Sequence, residues 1–90
     1  MTQTTEAAVL NTLHAIADNY GGYRDATATT DSTGQVDAYV AGADWYVRLT
    51  YTLAGNAATL LDQKGSDAWI TGQASSAVLA TLSDRGYWAA

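Results

Sequence analysis

The apolar residues of this chain change their spacing twice, and the two changes mark out its elements. Between Thr5 and Tyr20 the residues Val9, Leu10, Leu13, Ile16, Ala17 and Tyr20 recur at helical intervals. At about 100° per residue they fall within an arc roughly 120° wide, the single stripe of a helix packed on one side. Thr4 or Thr5 suits the cap, Glu6 suits the positive end of the dipole, and Gly21 and Gly22 supply a left-handed stop. The pattern therefore predicts a helix over 5–20.

From Tyr23 the period becomes two. "YRDATATT" and "QVDAYV" flank the turn "DSTG", and Val36, Ala38 and Val40 share one face, which predicts a hairpin. In "ADWYVRLTYTL" the residues Trp45, Val47, Leu49, Tyr51 and Leu53 alternate with Tyr46, Arg48, Thr50 and Thr52. The first set is the core face of a strand and the second its solvent face. After a break at "AGN" the segment "AATLLDQ" reads as another strand, "KGSD" as a turn, and "AWIT" as a short fifth strand that places Trp69 near the end of the sheet. Glycine-rich boundaries favour hairpins, hence an antiparallel sheet.

Helical spacing returns in "GQASSAVLATLSDRG", where Ala74, Ala77, Val78, Thr81 and Leu82 form a narrow stripe. Gly86 is placed to end this helix, with Tyr87 folding back on Leu82. The expected fold class is α+β: a two-layer domain, an antiparallel sheet of four or five strands with an N-terminal and a C-terminal helix packed on one face. Residues 1–90 read as a single domain, since a chain of this length has no room for a second core.

Composition narrows the classes of function. The 48% apolar share includes 18 alanines, so the bulky core falls to Leu, Val, Ile, Trp and part of the Tyr set. Cysteine is absent, which removes a disulfide framework, a thiolate nucleophile and a cysteine zinc site. No apolar run approaches the roughly 18 residues of a membrane span, and "MTQTTEAAVL" has no leader character. These features are those expected of a soluble, cytoplasmic protein.

Charge adds more, because the net −5 is unevenly placed. Residues 1–44 hold Glu6, Asp18, Asp25, Asp31, Asp37 and Asp44 against Arg24, whereas in residues 45–90 Asp62, Asp67 and Asp84 are balanced by Arg48, Lys64 and Arg85. Four cations cannot easily build the basic groove that direct nucleic-acid binding needs.

Catalytic motifs are missing. His14, the single histidine, sits just beyond the helix stripe and reads as a boundary residue. No serine stands in a nucleophile turn around it. "DSTG" separates its carboxylate from Thr-Gly by one residue too many for an aspartic protease, and "DSTGQVD" lacks the ligand ladder of a calcium loop. Asp25 and Asp37, on strands expected to be neighbours, are the remaining carboxylate pair to consider for acid/base chemistry. The expectation is a protein that is not an enzyme and has no cofactor or metal.

The solvent face of the sheet is then the candidate site. Tyr and Arg are enriched at interface anchors, because they bury much area at little entropic cost and still hydrogen-bond. The expected partner-binding residues are Asp25, Asp31, Asp37, Tyr39, Tyr46 and Arg48. The expected function is that of an acidic protein-binding module that occupies a basic, nucleic-acid-binding surface of a protein partner. In size and composition, though in no matched residue, the chain resembles small phage-encoded inhibitors such as anti-CRISPR proteins. The alternative is a self-assembling structural or accessory subunit, a virion or homo-oligomer component.

Overall fold

A computed structural model describes residues 5–54 and 57–83. Helix α1 spans Thr5–Asp18, strands β1 to β4 span Asp25–Thr30, Gln35–Ala41, Tyr46–Ala54 and Ala57–Gly65, and helix α2 spans Ala68–Leu82. The strands form one antiparallel meander in the order β1-β2-β3-β4, with both helices packed on the same face. This is the expected two-layer α+β architecture.

The core is set by the alternation within β2 and β3. Val36, Ala38 and Val40 of β2 and Val47, Leu49 and Tyr51 of β3 are all buried, and they meet Val9, Leu13 and Ala17 of α1 and Ile70, Ala74, Val78 and Leu82 of α2. A hydroxyl contact of 2.7 Å between Thr12 and Thr81 joins the two helices. Tyr51 is fully buried and its hydroxyl donates to the Ser75 carbonyl at 2.8 Å, tying the centre of the sheet to α2. Burial holds its phenol well above the ordinary tyrosine value.

Helix α1 ends as its glycines require. Gly21 and Gly22 have φ of 92° and 88°, and the Gly22 amide closes back on the Ala17 carbonyl at 2.8 Å. Trp45 lies just ahead of β3, only 8% exposed, with its indole N–H donating to the Tyr20 carbonyl at 3.2 Å. A Cβ at Gly42 would collide with that indole, so the β2–β3 turn needs glycine there. Leu61 is the extra residue of a β-bulge in β4, between Leu60 opposite Tyr51 and Asp62 opposite Thr50.

One expected element is replaced. "AWIT" is not a fifth strand but the first turn of α2, and Trp69 is 68% exposed on that helix rather than set in the sheet. The Asp67 carboxylate caps the helix by accepting the Ile70 amide at 3.0 Å, and the Thr71 hydroxyl donates to the Asp67 carbonyl. Trp, Ile and Thr favour strands locally, but Ile70, Ala74, Val78 and Leu82 repeat every four residues, and burying that whole stripe outweighs the local preference. The helix closes at Ser83. The Thr4 cap and the closure by Gly86 and Tyr87 lie outside the described residues.

Candidate sheet-face binding site

Both helices cover one side of the sheet, so the other side presents the alternate residues of every strand. The register arranges them in rows across the strands. Thr27, Tyr39, Arg48 and Lys64 form one row, and Thr29, Asp37, Thr50 and Asp62 the next. Asp25, Ala41 and Tyr46 lie in the row on the other side of the first. The charge asymmetry of the sequence therefore becomes an asymmetry across the sheet. The charged side chains of β1 and β2 are Asp25 and Asp37, with Arg24 just ahead of β1, whereas β3 and β4 carry Arg48 and Lys64 with Asp62.

A depression of about 600 Å³ opens on this face, lined by Asp25, Thr27, Thr29, Asp37, Ala38, Tyr39 and Arg48. The Arg48 guanidinium lies 5.2 Å from the centre of the Tyr39 ring, within cation–π range. The Thr50 hydroxyl donates to the Asp37 carboxylate at 3.1 Å, which orients that acid toward the solvent face. Four of the six residues expected at the site, Asp25, Asp37, Tyr39 and Arg48, thus meet in one place.

The other two do not line the depression. Tyr46 shares the face but lies in the next row, 41% exposed, at the start of β3. Asp31 sits in the β1–β2 turn. Its carboxylate accepts the Thr33 hydroxyl at 2.6 Å, the Thr33 amide at 2.9 Å and the Gln35 amide at 3.0 Å. These bonds, led by the Thr33 hydroxyl, hold its pKa below the usual 3.8. Asp31 is a turn residue, like Asp67 at its helix cap. Glu6 is likewise occupied, accepting the Thr30 amide at 2.8 Å.

Thr27 and Thr29 belong to the site but were not singled out from the sequence. Their signal was the parity of β1: they share the period-two face of Asp25, while Ala26 and Ala28 alternate with them toward the core.

The carboxylate pair is also resolved. Asp25 stands opposite Ala41, four residues along β2 from Asp37, so the strand rise separates their Cα atoms by roughly 14 Å. That is too far for the two acids to share a proton. His14 stacks on Tyr23, with ring centres 4.3 Å apart and planes within 8°. Among the described residues no group of three His, Cys, Asp or Glu side chains is placed to hold a metal ion, and no helix is long and apolar enough to cross a membrane.

Searches among protein families, curated proteins and solved structures return no match.

Proposed function

We propose that this chain is a non-enzymatic acidic binding module that engages a basic surface of a protein partner through the open face of its sheet. The observation that carries this reading is the convergence of Asp25, Asp37, Tyr39 and Arg48 on one depression, on the side the helices leave uncovered. Carboxylates at its margins select cations from the partner. Tyr39 supplies a flat surface for an aliphatic or guanidinium group, and the threonine hydroxyls satisfy polar groups around it. The basic surfaces of nucleic-acid-binding proteins have the required chemistry, so an inhibitor that occupies such a surface is the corresponding biological role.

Association rates with polylysine at several ionic strengths test the reading. The double variant Asp25→Lys, Asp37→Lys should associate more slowly and with a shallower salt dependence, because complementary charge acts mainly on the encounter. Asp18 and Asp44 are exposed acids outside the depression, so Asp18→Lys with Asp44→Lys matches the change in net charge. If both pairs slow association equally, net charge alone is at work and the sheet-face site is wrong.

A further inference from the structure

The two edges of the sheet are built differently. β4 is interrupted by the Leu61 bulge and carries Lys64, two devices that discourage a further strand from pairing. β1, "DATATT", pairs with β2 in continuous register and contains no bulge, proline or lysine. Its outward groups can be identified. The Asp31 amide donates inward to the Gln35 carbonyl, whereas the Thr30 amide points away from β2 and donates to the Glu6 carboxylate. Antiparallel alternation then directs the N–H and C=O groups of Ala26 and Ala28 outward as well. One end of the edge is covered by Glu6, and among the described residues the stretch beside Asp25 is left open.

We infer that β1 accepts an extended segment of a basic partner as a fifth strand, with cations four residues apart on the side facing the depression. This rests on the acidic-module reading and specifies how the partner is held. Main-chain bonds to Ala26 and Ala28 would supply affinity, and alternate side chains specificity. On such a strand the residue beside Asp25 and the residue beside Thr29 are four positions apart, because Asp25 and Thr29 are. The first cation meets Asp25 directly. The second reaches across Thr29 to Asp37, its partner in the register. Charge argues against a second copy as the occupant, since pairing two β1 edges would join two chains of net −5 and place both sets of Asp25 and Asp37 on one surface.

The probes are short synthetic peptides with a valine and threonine background. One carries two lysines four positions apart, its isomer has the lysines adjacent so that they face opposite sides, and a third is the first with N-methylated backbone amides. The first should bind about tenfold or more tightly than either of the others, the scale of one or two net hydrogen bonds. It should also slow hydrogen exchange at the Ala26 and Ala28 amides. Equal binding by both isomers without that protection overturns strand addition and leaves the acidic-module reading standing. Absence of peptide binding, with polylysine association still dependent on Asp25 and Asp37, does the same. Failure of polylysine as well would remove both. Protection of Ala26 and Ala28 that grows with protein concentration in the absence of peptide would assign the edge to a second copy and overturn the proposal.

Discussion

The two faces of strand β3 differ by a single step along the backbone, yet they belong to different kinds of surface. Val47, Leu49 and Tyr51 are buried against the helices, while Tyr46 and Arg48 are exposed beside Asp37, Tyr39 and Lys64. The inner face stabilises through apolar area withdrawn from water. The outer face holds polar groups whose bonds water can replace, so it contributes little to folding and is free to be shaped by a partner. Side-chain parity alone separates the buried face of this strand from the open one.

The largest test of that separation is Trp45→Ala against Tyr46→Ala. The first removes a nearly buried indole and should cost about 3–5 kcal/mol in urea unfolding, and the second about 0.5 kcal/mol. Equal losses would mean that both sides of this strand are buried in solution. A smaller effect is expected from Tyr51→Phe, which deletes the bond to Ser75 and should cost about 1 kcal/mol at neutral pH.

Tyr51 also sharpens the contrast through pH. Its folded pKa lies above the unfolded value of 10.0, so its stabilising effect is complete below pH 10 and declines as pH rises past that value, where the unfolded chain ionises first. Denaturation midpoints followed into alkali should fall more steeply for the parent protein than for Tyr51→Phe. Matching slopes would contradict the buried phenol.

The smallest effect belongs to Asp31. Its depressed pKa places its contribution above pH 3.8, to be lost as pH falls through the lower folded value. Acid unfolding of Asp31→Ala should therefore show a flatter response below pH 4 than the parent. The charge pattern alone made Asp31 a solvated partner-binding acid. If Asp31→Ala slowed association with polylysine as much as Asp25→Lys does and left acid unfolding unchanged, Asp31 would act on the partner rather than on the turn.

What was legible in the sequence followed from uninterrupted periodicity. The α1 stripe, the first hairpin, both faces of β3 and the "GG" stop each rest on a local pattern that the tertiary structure leaves intact. The start of α2 was not read because "AWIT" has strand-favouring residues and Gly72 resembles a boundary, although no contact within 4 Å and no positive φ demands glycine there. Counting back four residues from Ala74 to Ile70, and noting Asp67 three residues before that, would have found the helix. The site was legible in part. Composition identified the acids, but only the hydrogen bonds distinguish Asp25 and Asp37 on the open face from Glu6, Asp31 and Asp67, which bind the chain's own amides.

The bulge at Leu61 acts as a change of reading frame for β4. Ala58 and Leu60 point inward ahead of it, and beyond it the inward positions are Gln63 and Gly65 opposite Leu49 and Val47. Even-numbered residues therefore face the core before Leu61 and the open side after it, which is how Asp62 and Lys64 come to lie on the open face. Gly65, returned to the inner side, leaves space that the Thr71 side chain of α2 fills. Deleting Leu61 would give an unbroken ladder and leave Asp62 opposite Thr50, so both faces of β4 would survive the loss of the extra residue. Were Leu61 kept and the bulge ironed out, Asp62 would instead fall opposite Leu49, and Asp62 and Lys64 would turn toward the helices with Gln63 outward.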